Sequence, residues 1–193
     1  MEHFYTIQGE GFYSGTAAYF VRLAGCDVGC TWCDVKESWD ASAHPQMELS
    51  SLVASIVSSG ANICVITGGE PLMHQLDFFT ELLHAQGVRV HIETSGTSPI
   101  SGTLDWITFS PKRFKKPLPE FYSRANELKI VVSHINDLRW AEEHKKQMRT
   151  NCKFYLQPEW ENQKDILPAI IDYVKNHPEW IISLQTHKFI GVD

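Results

Sequence analysis

The chain has 193 residues, is 43% hydrophobic and 21% charged, and carries a net charge of −6. That length supports one well-buried core and is short for two, and the acidic balance argues against broad binding of nucleic acid, which rests on phosphate neutralisation by Lys and Arg. No apolar run approaches a membrane span, and the start Met-Glu-His-Phe-Tyr lacks the charged segment and apolar core of a signal peptide, so the expectation is one cytoplasmic domain over residues 1–193.

In chain order, β-like runs rich in Val, Ile and aromatics fall near 18–24, 62–67, 88–94, 105–110, 127–133, 153–157 and 180–185. Helical periodicity falls near 47–58, 72–86, 136–149 and 163–176, with Gly60 and Gly87 as stops and Asn136 as an N-cap. Strands alternating with helices predict parallel strands joined by crossovers. Because strand signals outnumber helix signals, the expected fold is α/β: an incomplete, TIM-like (β/α) barrel with mostly parallel strands.

A polar cluster follows nearly every predicted strand. These are Cys26 to Cys33, Gly68-Gly69-Glu70-Pro71, Ser95-Gly96-Thr97, Ser110-Pro111-Lys112, Gln157-Pro158-Glu159-Trp160 and Gln185-Thr186-His187-Lys188. In α/β barrels the C-terminal ends of the strands share one face, where active sites are built, so six segments are expected to converge on one mouth. Loops are polar and Gly- or Pro-rich in general, but that does not account for a metal-binding triad among them.

Cys26, Cys30 and Cys33 carry the most information. In a C-x3-C-x2-C spacing three thiolates can meet on one metal centre while leaving a coordination position open, as in a four-iron cluster with one iron free of protein. A structural zinc site completed by His44 or Asp34 is the competing reading, although such sites are closed by a fourth ligand and usually use two spaced pairs. A disulfide or free thiols is a third. Cys64 and Cys152 lie in apolar runs and read as small core residues. In Thr67-Gly68-Gly69-Glu70-Pro71, two glycines after a buried strand permit close backbone approach to a ligand, and Glu70 adds a carboxylate at the rim.

The cysteine triad together with the Gly-Gly-Glu turn resembles the radical S-adenosylmethionine (SAM) superfamily. Gln8-Gly9-Glu10-Gly11, Arg22, Cys33-Asp34, Ile92-Glu93-Thr94-Ser95-Gly96, Ser110-Pro111-Lys112, Asn126-Glu127-Leu128-Lys129 and Gln185-Thr186-His187-Lys188 narrow the resemblance to the 7-carboxy-7-deazaguanine synthases of the queuosine pathway. These motifs run from residue 8 to 188. The resemblance implies a ring contraction of 6-carboxy-5,6,7,8-tetrahydropterin to 7-carboxy-7-deazaguanine with loss of ammonia, started by a 5′-deoxyadenosyl radical. It implies a [4Fe-4S] cluster on Cys26, Cys30 and Cys33, and SAM held by Gly69, Glu70, Ser110, Pro111, Lys112 and Gln157, Pro158, Glu159 and Trp160. The pterin would be read by Ile7, Gln8, Gly9 and Glu10, its polar rim bound by Arg22, Thr67 and His187, with the terminal carboxylate of Asp193 nearby. No side chain is expected to act as a catalytic residue in its own right, since the radical arises at cluster and SAM. The resemblance also implies a homodimer and a flavodoxin- or ferredoxin-type electron donor, for which the basic run Lys112 to Lys116 offers a docking patch.

One position departs from the family. Its pattern is Asp-Thr after the last cysteine, the Thr hydroxyl ligating a magnesium ion; here the pair is Asp34-Val35. Valine offers no oxygen to an ion that demands a near-octahedral oxygen shell. Either water, substrate and Asp34 hold the ion or the enzyme works without it, and the expectation is weakened or lost magnesium dependence.

Overall fold

The computed structural model describes residues 1–192. Eight strands form one sheet in sequence order: β1 (Glu2–Ile7), β2 (Ala17–Leu23), β3 (Ile63–Gly68), β4 (Arg89–Thr94), β5 (Trp106–Phe109), β6 (Glu127–Val132), β7 (Lys153–Pro158) and β8 (Trp180–Ile182). β1 pairs antiparallel with β2, Glu2 opposite Arg22 and Ile7 opposite Ala17, and every later pair is parallel. The helices are α1 (Leu49–Ser58), α2 (Asp77–Ala85), α3 (Glu120–Arg124), α4 (Asn136–Lys145), α5 (Gln163–Asn176) and α6 (Thr186–Ile190). The sheet is open between β1 and β8, as the surplus of strand signals predicts.

Parallel strands covered on both faces need apolar residues facing the helices, and the chain supplies them with period two. Cys64 and Ile66, Val90 and Ile92, Ile107 and Phe109, and Leu128, Ile130 and Val132 pack into the main core. The alternate set faces the concave interior and is largely polar from β4 onward: His91 and Glu93, Trp106 and Thr108, Glu127 and Lys129. Ala18, Ile63 and Val65, with Tyr13 and Phe20, form the small apolar cluster on that side.

The seven predicted strands appear with ends shifted by a residue or two, except that β8 stops at Ile182 rather than 185. β1, α3 and α6 are additions. β1 escapes detection because Glu2, His3, Tyr5 and Thr6 break the apolar alternation; it lies at the sheet edge, where half-buried polar residues are tolerated. The helix expected over 72–86 begins only at Asp77, since Pro71–Met73 is a 3-10 turn. Asn136 is not the N-cap of α4: it is the first helical residue, and the preceding turn is held by Asp137, whose Oδ2 accepts the Ser133 and His134 N–H groups at 2.9 Å each.

The hairpin between β1 and β2 completes the barrel. Gln8 and Thr16 close its neck at 2.8 Å, and its tip turns inward, stacking Phe12 on Trp106 at 5.0 Å and Tyr13 against His91 at 4.5 Å. The same loop bridges the gap to β8, because Gly9 O accepts from Thr186 N at 3.0 Å and Gly11 N donates to Ser183 Oγ at 2.9 Å. An aromatic floor thus closes the end where the parallel strands begin.

Candidate active site

Above that floor, at the C-terminal ends of the strands, opens a cavity of about 520 Å³, the size of a small-molecule site. All six polar clusters contribute to its wall, together with the β1–β2 hairpin. Ile7, Gln8, Gly9, Glu10, Arg22, Thr67, Gly69, Glu70, Lys112, Gln157, Pro158, Glu159, Trp160, His187, Ser110 and the three cysteines all line it. Pro111 does not: it is buried and absent from the wall. Asp193 lies outside the described residues; Val192, just before it, reaches the cavity.

Cys26, Cys30 and Cys33 are free thiols on one loop whose two ends are fixed. At its start Gly25 N donates to Ser38 O at 2.6 Å, and His74 Nε2 lies 2.7 Å from Ala24 O. Burial pushes the Cys30 thiol up to about 11 despite the Lys112 ammonium nearby, and raises Cys26 as well, so both favour the thiol until a cation draws out the thiolate. Among the described residues no three His, Cys, Asp or Glu side chains are gathered into a group that could hold a metal ion. Three thiols opening from one loop onto a shared cavity fit the corners of a larger cluster.

The Gly-Gly-Glu turn is zipped onto this loop. Gly69 N donates to Leu23 O and Glu70 N to Gly25 O, both at 2.8 Å. A Cβ at Gly69 would stand 2.2 Å from Gly25 O, and Gly68, at φ +116°, would drive one to 2.2 Å from Leu23 O. The glycines are therefore required by backbone meeting backbone, a reason the sequence does not disclose. Glu70 differs from its expected place at the rim. It is 1% exposed, and its carboxylate accepts from Leu72 N (3.2 Å), Thr94 Oγ1 (2.6 Å), Ser95 N (2.9 Å) and Ser95 Oγ (2.5 Å). With four donors satisfied inside the protein it ties β3 to β4. Glu159 is similarly engaged, accepting the Glu161 and Asn162 N–H groups at 3.0 Å before α5.

Opposite the cysteines lies a buried charge cluster. Lys129 Nζ pairs with Glu10 and, at 2.9 Å, with Glu93 Oε2, while Gln8 Nε2 donates to Glu93 Oε1 at 2.9 Å and Gln185 Nε2 to Glu10 Oε1 at 3.0 Å. Burial pushes the Glu10 carboxyl up, but the Lys129 charge and hydrogen bond outweigh it and hold Glu10 at about 2. Burial also lowers Lys129, and the two carboxylates more than reverse that, so it stays charged. His187 is lowered by burial against the pull of Glu10 and lies on Gly9, where a Cβ would fall 2.0 Å from its Nδ1. Arg22 is shared between the cavity wall and an ion pair with Glu2 at 2.9 Å. Glu93 and Lys129 were assigned no role from sequence, yet a signal was present: each is a charge inside a buried parallel strand, where an unpaired ion is expensive.

At the mouth, Lys188 Nζ reaches Asp34 Oδ2 at 3.2 Å and lies 4.7 Å from the Trp160 ring centroid, joining α6 to the cysteine loop. Of the basic run, Lys112 faces the cavity and donates to Ser110 Oγ at 2.6 Å; Arg113 pairs with Asp137 at 2.8 Å and Lys115 with Asp27 at 2.6 Å.

Residues 21–139 match the family described as the radical SAM superfamily. The chain is 47% identical to the 7-carboxy-7-deazaguanine synthase of Flavobacterium psychrophilum over 100% of its own length and 91% of the relative's, and 46% identical to that of Synechocystis over 99% and 91%. The crystal structure of QueE from Escherichia coli shares 33% identity and superposes with a TM-score of 0.81, covering 95% of this chain and 91% of that one. With the cysteine loop, the zipped glycine turn and the charged cavity in the same frame, these likenesses place the chain in the radical SAM superfamily and, within it, in the 7-carboxy-7-deazaguanine synthase family.

Proposed function

We propose that the chain, as a single domain, contracts the ring of 6-carboxy-5,6,7,8-tetrahydropterin to 7-carboxy-7-deazaguanine with loss of ammonia, in the queuosine branch of tRNA modification. The observation that carries this reading is one cavity in which the cysteine triad faces the Glu10–Lys129–Glu93 cluster, Arg22 and His187. When bound, the [4Fe-4S] cluster and SAM of a radical SAM enzyme supply the 5′-deoxyadenosyl radical that takes hydrogen from the substrate.

The chain's own residues position, desolvate and shield. Glu10, kept anionic by Lys129, retains lone pairs for the amino and amide N–H groups of a pterin. Arg22 spends one nitrogen on Glu2 and keeps its other donors for a substrate carboxylate. Ring burial favours neutral His187, able to donate on one nitrogen and accept on the other. Gly69, Ser110, Lys112 and residues 157–160 flank the cysteines and would hold SAM, with Glu70 acting through the turn it braces.

The residues beside Cys33 do not fit a magnesium ion. Val35 brings an isopropyl group to the cavity and Asp34 is engaged by the Lys188 ammonium, which supports weakened magnesium dependence. A flavodoxin- or ferredoxin-type protein would supply the electron, but Lys112 faces the cavity and Arg113 and Lys115 are paired internally, which leaves Lys116 as the one outward cation of that run without an ion pair among the described residues. Among the described residues no helix is long and apolar enough to cross a membrane, and a cytoplasmic homodimer is part of this reading. Anaerobically reconstituted protein given SAM, reductant and the carboxytetrahydropterin should yield a product lighter by one ammonia. Unchanged substrate from brown, cluster-loaded protein would refute the assignment.

A further inference from the structure

Beneath the large cavity lies a second chamber with room for one water, about 10 Å³. Gln8, Glu10 and Glu93 stand in the walls of both. The chamber's own walls include His91, Glu127 and the floor aromatics Tyr13 and Trp106. His91 is 4% exposed, and its Nε2 is a buried nitrogen with no hydrogen-bond partner. A buried polar atom left unpaired costs about 1–3 kcal/mol, and a water in a polar, water-sized space beside it removes that cost. Glu127 is 2% exposed and accepts from Phe12 N at 3.0 Å and Trp106 Nε1 at 3.3 Å.

We propose that Glu127 and one water held on His91 Nε2 form a proton store under the substrate cavity, exchanging with the bound substrate past Gln8 and Glu93, which wall both chambers. This rests on the reaction assigned above. Losing ammonia from the contracted ring breaks a C–N bond, whose electron pair leaves with nitrogen, and a C–H bond, whose pair becomes the new ring double bond. One proton therefore leaves carbon and one arrives on nitrogen, so the balance closes without any further reactant. A group half-protonated near neutral pH serves both transfers.

The surroundings of Glu127 meet that condition. Burial pushes its carboxyl up to about 7; Lys129 on the same strand and the Phe12 and Trp106 hydrogen bonds pull it down, and Glu93 pushes it further up. The other titratable groups around it are His91, which burial lowers to about 4, Tyr155, which burial raises to about 12, Cys152, raised likewise, Glu10 and Tyr13. In this proton exchange Glu127 is a positioning residue, since it acts through others.

The test uses the cluster-loaded enzyme and Glu127→Gln, which keeps an acceptor for Phe12 N–H. Infrared titration of the wild type should show a carboxylic-acid carbonyl band disappearing around pH 7 and missing from the variant. The pH profile of kcat should have a limb in the same region that the variant lacks, with kcat lower by about 100-fold and KM unchanged. A wild type without the band, or a variant with the wild-type pH profile, overturns the proposal. A wild type that shows the band but makes no 7-carboxy-7-deazaguanine leaves the store standing and overturns the assigned reaction instead.

Discussion

At position 35 the side chain that reaches the cavity is valine. Valine presents only carbon where threonine would present oxygen, and its carbonyl is already taken by Ser38, which donates from N at 3.0 Å and from Oγ at 2.6 Å. Asp34 already shares one carboxylate oxygen with the Lys188 ammonium, whose charge repels a dication. Chelator-treated, cluster-intact enzyme should therefore keep most of its turnover, and Val35→Thr should gain a magnesium response; collapse of the wild type to near zero with rescue only by magnesium would contradict this. Residue-scale features were legible in sequence where chemistry is carried by type and spacing, as with Cys26, Cys30 and Cys33. They were illegible where a role depends on the direction a side chain takes. Glu70 reads as a rim carboxylate and is spent inside the fold, and Lys129, which enters the sequence reading only within the motif Asn126-Glu127-Leu128-Lys129, is the counter-ion of two acids.

The element that decides the geometry is the turn after β3. Its hydrogen bonds to Leu23 and Gly25 make the positions of the cysteine loop and of β3 interdependent. Gly69→Ala would force a Cβ against Gly25 O at 2.2 Å, and because backbone cannot swing aside as a flexible side chain can, the loop must move. We expect near-native circular dichroism with iron content per chain reduced several-fold; full iron loading would show that the loop tolerates displacement. Central strands were legible from their buried apolar residues, continuous in β3 and alternating with Glu127 and Lys129 in β6. β1 and α6 were not, since an edge strand and a five-residue helix take their stability from contacts distant in sequence, such as Gly9 with Thr186, which no local pattern encodes.

Over the whole molecule, the barrel carries its polar groups inside and its apolar core outside, between sheet and helices. That arrangement makes stability depend on pH. Glu127 has a folded value near 7 against an ordinary 4.5, so between these the folded chain holds more protons than the unfolded one, and stability falls as pH rises through the window. Above it the full cost applies, about 3 kcal/mol from roughly 2.5 pH units. Glutamine cannot ionise, so Glu127→Gln should match the wild type in denaturant unfolding near pH 4.5 and exceed it by about that amount at pH 8. Equal stabilities at pH 8 would mean that Glu127 is not held protonated by the fold.

The aromatic floor of Phe12, Tyr13 and Trp106 has a further bearing on traffic. A vessel sealed at one end has a single doorway, and α6 and the cysteine loop stand on either side of it, linked by Lys188 and Asp34. Two occupants stacked along that axis would leave in the reverse of the order in which they entered. Whatever lies deepest is first in and last out, so a tightly held occupant near the doorway imprisons its neighbour within.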